Sequence, residues 1–195
     1  MNFLAHIYLS FEDTDLTIGN FIGDFVKGNE LDNYSDSIKK GIQLHRAIDS
    51  YTDSHEVVQK SKERLRDKYR HYSGVIVDIY YDHFLALHWQ EFHKTPLRKF
   101  VDETYQLLNS ESSRFPAKTK QMLPFMIKHD WLYNYQFFEG IQQVMHGMSR
   151  RTKFNSRMDE SVVELRQYHD EFEDEFMTFF PDLINFSKEF IQKEN

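Results

Sequence analysis

Apolar residues recur at three- and four-residue intervals along almost the whole chain, so the pattern predicts helices joined by short connections. Leu4, Ile7 and Tyr8 mark a first buried turn or two. Asp13 or Thr14 can cap a second helix that carries Phe21, Ile22 and Phe25 and stops at Gly28. Ser35 caps a third, in which Ile38, Ile42, His45 and Ile48 or Asp49 share a face. A fourth starts near Ser54 with Val57, Val58, Ser61 and Leu65, and Ser73-Gly74 opens a strongly apolar fifth, from Val75 to about Trp89. Pro96 stands at a first-turn position before Phe100, Tyr105 and Leu108. A short helix around Met122–Ile127 then leads into Trp131–Met148. Leu165, Tyr168, Phe172, Phe176 and Phe179 form a last core-facing stripe, after which Pro181 bends or restarts the chain.

Composition sharpens this to one all-α domain over residues 1–195, a helical bundle. The chain has 195 residues, of which 40% are hydrophobic and 16% aromatic, enough for one sizeable core. Only 7 Gly and 4 Pro are present, too few for the many turns of a sandwich or barrel. No cysteine is present, which removes disulfides, thiolate metal sites and a cysteine nucleophile. No window of about 18 apolar residues predicts a membrane span, and MNFLAHIYLS lacks the basic flank of a signal peptide. The expectation is a cytoplasmic protein. A net charge of −7 argues against nucleic-acid partners, which need a basic face.

The chemistry is expected among ionisable residues on apolar helical faces in the first half. His6 lies inside NFLAHIYL and Asp24 inside NFIGDFVKG. His45 and Asp49 are four apart in GIQLHRAIDSYTD, with Asp53 four further on. Asp78 and Asp82 repeat that spacing in VIVDIYYDHFL, next to His83. A buried carboxylate must be paired, hydrogen-bonded or bound to a metal. Several carboxylates with imidazoles, and no excess of nearby Lys or Arg, are balanced by a cation such as Mn²⁺, Fe²⁺, Zn²⁺ or Mg²⁺. The structural reading stays beside it: His6 as a hydrogen-bonded core histidine, Asp24 as a cap, the aspartates paired with Arg46, Lys39 or Lys40. No phosphate-binding glycine loop and no G-x-S-x-G elbow is present.

The segments NFLAH (2–6), GNFIGDFVKG (19–28), GIQLHRAIDSYTDSH (41–55) and VIVDIYYDHFLALHW (75–89) together resemble the acyl carrier protein phosphodiesterases. Trp131 and the run Phe138-Glu139-Gly140-Ile141 to Met145-His146-Gly147-Met148 are also similar to that family, so the resemblance spans the chain. That family is in turn similar to the all-α HD metal-dependent phosphohydrolases. The resemblance implies hydrolysis of the phosphodiester between 4′-phosphopantetheine and a serine of holo-acyl carrier protein, with Mn²⁺ as the metal. The chain departs from the HD pattern: it has His45-Arg46 where a His-Asp pair is expected, and Asp82-His83 in reversed order.

With that reaction in view, Asp24, His45, Asp49 and Asp82 are the expected metal ligands. Arg46 could contact the phosphate or pair with Asp49 or Asp53. His83 or His6 could protonate the leaving serine oxygen, and Asp78 and Asp53 could orient the histidine ligands. Carrier proteins of this kind are acidic, so a local basic surface should dock them. KSKERLRDKYR (60–70), with Lys60, Lys62, Arg64 and Arg66, is the first candidate, and Arg150, Arg151, Lys153 and Arg157 form a second. Two other readings remain open: an HD-type phosphohydrolase of a nucleotide or other small phosphate ester, and a non-enzymatic helical adaptor whose ionisable groups merely pair. The oligomeric state is open.

Overall fold

The computed structural model describes residues 1–152 and 154–193, so Lys153 of the second basic group lies outside the described residues. Among the described residues there is no strand, and the chain is all-α. The helices are α1 (Phe3–Tyr8), α2 (Thr14–Ile22), α3 (Asp36–Ser54), α4 (Glu56–Tyr69), α5 (Ser73–Leu87) and α6 (Trp89–Phe92). The second half adds α7 (Leu97–Ser110), α8 (Ala117–Lys128), α9 (Trp131–Asn134), α10 (Phe138–Ser149), α11 (Val162–Gln167) and α12 (His169–Lys193). No helix is long and apolar enough to cross a membrane among these residues.

Helix α5 is the axis of the bundle. It is apolar nearly all round, and Ile76, Val77, Ile79, Tyr80, Tyr81, Phe84 and Leu85 are buried. Helices α1, α4, α10 and α12 pack against it, and α12 also closes over α3 and α4. The stripe read from the last helix supplies that lid: Phe172, Phe176 and Phe179 are buried, Phe172 edge-on to Tyr80, Phe176 stacked on Phe84 and Phe179 tilted against Tyr81.

The closest pair of helices is α2 and α3, which meet through glycine. A Cβ on Gly19 would stand 2.2 Å from the Ile38 carbonyl oxygen, and one on Gly41 would stand 2.6 Å from that of Leu16. This approach brings the end of α2 against the middle of α3, where His45 stands.

Several boundaries differ from the sequence reading. The second helix ends at Ile22 and tightens into a 3-10 turn over Gly23–Phe25. The fourth starts at Glu56, capped by His55, whose Nδ1 accepts from the Val57 N–H. The expected Trp131–Met148 helix is split into α9 and α10, with Phe137 extended between them. Pro181 neither stops nor restarts its helix; the break falls earlier, at Tyr168. Pro181 faces solvent while Phe179, Phe180 and Leu183 are buried on either side, so core contacts outweigh the missing backbone hydrogen bond.

Candidate metal centre

Two helices and one turn bring His6, Asp24, His45 and Asp49 together. Helix α1 carries His6, the Gly23–Phe25 turn carries Asp24, and one face of α3 carries His45 and Asp49. The two imidazoles are buried and lie parallel, with ring centres 3.9 Å apart and planes inclined by 15°.

Asn20, at the end of α2, fixes both rings. Its backbone carbonyl takes His45 Nδ1 at 2.7 Å, and a carbonyl can only accept, so Nδ1 of His45 carries the hydrogen. Its side-chain Oδ1 takes His6 Nδ1 at 2.8 Å, while its Nδ2 donates to the His6 carbonyl and to Ser10 Oγ. That network assigns Oδ1 as acceptor and Nδ1 of His6 as donor. In both neutral rings the free lone pair is therefore on Nε2.

Both Nε2 atoms are buried without a hydrogen-bond partner, and both face carboxylates. His6 Nε2 stands 3.2 Å from Asp49 Oδ1, and His45 Nε2 stands 3.3 Å from Asp49 Oδ2 and 3.2 Å from Asp24 Oδ1. Ligand atoms held at about 2.1 Å around one cation stand roughly 3.0–3.4 Å apart. His6, His45 and Asp49 thus have the spacing of a shared coordination sphere, with Asp24 beside it through its contact with His45, and two imidazoles with carboxylates fit Mn²⁺, Fe²⁺ or Zn²⁺. The imidazole side is dry. The side chains of Asp49 and Asp24 are 40% and 69% exposed, so the site opens to solvent on the carboxylate side.

The charges are strongly coupled. Burial would push the His45 pKa down, but Asp24 and Asp49 raise it to about 9. Burial and then the neighbouring His45 lower that of His6. Asp49, which burial alone would raise, is held well below the usual carboxylate range by His45 and His6, and contact with His45 lowers Asp24. The cluster therefore favours one positive charge between the two stacked rings.

Two contributors escaped the sequence reading. Asn20 could have been suspected as a polar residue on the apolar face beside Phe21 and Ile22. Gly23 makes room for the His45 ring, since a Cβ there would stand 2.3 Å from His45 Cγ; nothing in the sequence signals that contact.

Other expected site residues lie elsewhere. Asp82 is fully buried, but its oxygens accept the N–H groups of Asn2, Leu4 and Ala5, so it caps α1 rather than joining the cluster. The i, i+4 spacing with Asp78 looked like a ligand pair because a helix N-terminus, too, attracts a carboxylate. Asp78 accepts from the Met1 ammonium at 2.9 Å, and that ammonium lies 3.7 Å from Asp49, so Asp78 touches the cluster only through the N-terminus. His83 is buried on the far side of α5, with Nδ1 at 2.6 Å from the Tyr135 carbonyl and its pKa pushed down to about 4 by burial. It does not face the cluster. Asp53 pairs with Lys62 at 2.7 Å. Arg46 is exposed and donates to the Val26 carbonyl at 3.1 Å, which holds its guanidinium beside the Asp24 turn rather than on Asp49 or Asp53.

The expected docking stretch is largely neutralised. Lys62 is buried on Asp53, and Arg64 makes a two-pronged pair with Glu175. Lys60 and Arg66 are exposed. In the second group, Arg150 and Arg151 are exposed and Arg157 pairs with Glu160.

The buried histidine pair and the solvent-facing carboxylates form a donor set open to solvent on one side. The sequence profile of the acyl carrier protein phosphodiesterases matches residues 1–183. The chain belongs to that family, a family of phosphoric diester hydrolases. It is 32% identical to an acyl carrier protein phosphodiesterase of Pectobacterium atrosepticum, over 96% of this chain and 98% of the relative. It is 31% identical to that of Photorhabdus laumondii, over 93% and 92%, and 30% identical to that of Salmonella paratyphi A, over 94% and 96%. No solved structure matches the chain.

Proposed function

We propose that this protein hydrolyses the phosphodiester joining 4′-phosphopantetheine to a serine of holo-acyl carrier protein, releasing apo-carrier protein and 4′-phosphopantetheine. The observation that carries the reading is the convergence of the His6 and His45 Nε2 lone pairs on Asp49 and Asp24 at a solvent-open rim. These four residues would hold a divalent cation, for which we propose Mn²⁺. Such a cation supplies positive charge to a phosphoryl oxygen and acidifies water.

The protein's own groups do the rest. Asn20 keeps both rings in the tautomer that presents Nε2. Arg46, held by the Val26 carbonyl, offers a planar cation to the phosphodiester at the rim. His6 presents a lone pair on its one free nitrogen and so serves as a ligand; to be proton donor to the serine oxygen it would first have to be protonated, which burial and His45 oppose. His83 faces away from the reacting groups and takes neither role.

The test is a mass-spectrometric assay of holo-acyl carrier protein with the purified enzyme, with Mn²⁺ or with chelator. Loss of the phosphopantetheine mass only with Mn²⁺ is the expected result. Equal turnover under chelation would remove the cation while keeping the reaction, and no loss with any divalent metal would overturn the substrate.

Gly23→Ala probes the packing behind His45. The added methyl must displace the ring, and displacements of about 1 Å at such a site cost on the order of 100-fold in rate. Turnover should fall by about that factor in the same assay, and an unchanged rate would show that the His45 position is not critical.

A further inference from the structure

Helix α8 carries a basic outer face that no acidic side chain of the described chain neutralises. We propose that this face docks the acidic surface of the carrier protein, with Phe125 as its apolar anchor; the proposal rests on the carrier-protein reading above.

The pattern is already present along the chain. Residues 112–129 include Arg114, Lys118, Lys120 and Lys128 but no Asp or Glu, in a protein with 31 acidic residues and a net charge of −7. Helix α8 buries Thr119, Leu123 and Met126 on its inner side. Lys118, Gln121, Phe125 and Lys128 fall at i, i+3, i+7 and i+10 and share the outer face, with Lys120 and Pro124 on the stripe beside them. All six are exposed, Phe125 by 61%.

The side chains of Lys118, Lys120 and Lys128 make no ion pair or hydrogen bond among the described residues. The two basic groups singled out from the sequence differ in this respect. On α4, exposed Glu63 and Asp67 interleave with Lys60 and Arg66, while Lys62 and Arg64 are paired with Asp53 and Glu175. In the other group Arg157 pairs with Glu160. Like charges on one helix face repel one another, so α8 holds a positive potential that its own chain leaves unmet.

The chemistry of the face selects the partner. Lysines around one exposed aromatic ring match an interface with a charged rim and an apolar centre. The complementary surface is rich in carboxylates and offers an apolar recess. A lipid surface fits less well, because a helix lying in a bilayer interface buries a whole apolar face, whereas Phe125 is the one large apolar side chain on the outer face of α8.

The face is also fastened to the wall of the metal cluster. Just before α8, Phe115 is buried with its ring centre 5.6 Å from that of Phe21, the residue after Asn20. Arg114 reaches Asp15 in the first turn of α2 at 3.4 Å. Helix α8 has 12 residues, a length of about 18 Å. A protein seated along it therefore reaches from Phe125 to the helix whose Asn20 positions both histidines.

The test compares the full-length protein with two triple variants, Lys118→Glu, Lys120→Glu and Lys128→Glu in one, and Lys118→Arg, Lys120→Arg and Lys128→Arg in the other. Charge reversal should weaken calorimetric binding of apo-acyl carrier protein and raise KM for the holo form by about 10- to 100-fold, with kcat within about twofold. The arginine variant should keep wild-type affinity, and Phe125→Ser should lose about tenfold. Added salt should weaken the wild type more than the charge-reversed variant. Unchanged binding and KM after charge reversal, equal losses in the two triple variants, or a fall in kcat at constant KM would each overturn the docking face. So would phosphatidylglycerol vesicles that bind the wild type while apo-carrier protein does not. Binding needs no turnover, so a wild type that binds carrier protein without hydrolysing it would remove the proposed reaction and keep the docking face. Hydrolysis untouched by charge reversal would do the reverse, and a wild type that neither binds nor hydrolyses carrier protein would overturn both.

Discussion

Replacing His45 by Gln is expected to reduce hydrolysis of holo-acyl carrier protein by at least about a thousandfold, roughly 4 kcal/mol of transition-state stabilisation. Three observations meet at this residue. Its Nδ1 is fixed by the Asn20 carbonyl, its ring is stacked on His6, and its Nε2 faces both carboxylates of the cluster. Glutamine keeps most of the buried volume and a donor for the Asn20 carbonyl, so the fold should persist. It lacks an aromatic nitrogen at the Nε2 position, so the shared donor set is broken. A second readout separates this from simple disruption: chelator should lower the melting temperature of the wild type pre-loaded with Mn²⁺ and leave that of His45→Gln unmoved. Wild-type turnover in the variant would sink the assignment of the centre.

Asp82→Ala should have the largest effect on stability, a loss of about 3–5 kcal/mol and a fall of roughly 10 °C in melting temperature. The carboxylate is fully buried and accepts three backbone N–H groups at the start of α1, at 2.7, 3.2 and 3.3 Å. Alanine would strand these donors in the interior, next to the Met1 ammonium. Because α1 carries His6, turnover should fall as well, and Asp82→Asn should recover part of the stability through its remaining carbonyl. Burial raises the Asp82 pKa from 3.8 to about 7 in the folded state. The protonated form thus favours the fold fully below about pH 4, and that share is lost as pH rises through about 7. The gap between wild type and Asp82→Ala should narrow over the same window. A variant within about 1 kcal/mol of wild type at pH 5, by thermal melts, would show that the cap is unimportant.

The contrast between Asp49 and Asp82 shows how far the sequence reaches. Both are aspartates on apolar helix faces, each with a like partner at helical spacing, and both were read as ligands. The rule that a buried carboxylate needs a partner holds for each. The partner differs: imidazoles for Asp49, the first turn of another helix for Asp82. Sequence spacing registers only neighbours on the same helix, and α1 reaches Asp82 from nearly 80 residues away. The same limit hid the fate of Lys62 and Arg64. Their charges form a basic run in the sequence, but Asp53 and Glu175 neutralise them once α3 and α12 close around α4.

By itself the sequence determined the all-α class, the main helices of the first half, the apolar stripe of α12 and the family, because periodicity, scarce turn residues and short contiguous motifs are local properties. It also singled out His6, Asp24, His45 and Asp49, since charged groups on apolar faces stand out wherever they occur. Tertiary structure alone decided that these four converge while Asp82, Asp53 and His83 do not. It also made Asn20 the hinge of both rings and shaped Gly23 to His45. The physical reason is that a coordination geometry is set within a few tenths of an ångström by the packing of α1, α2 and α3, and packing at that precision depends on contacts between residues far apart in the chain.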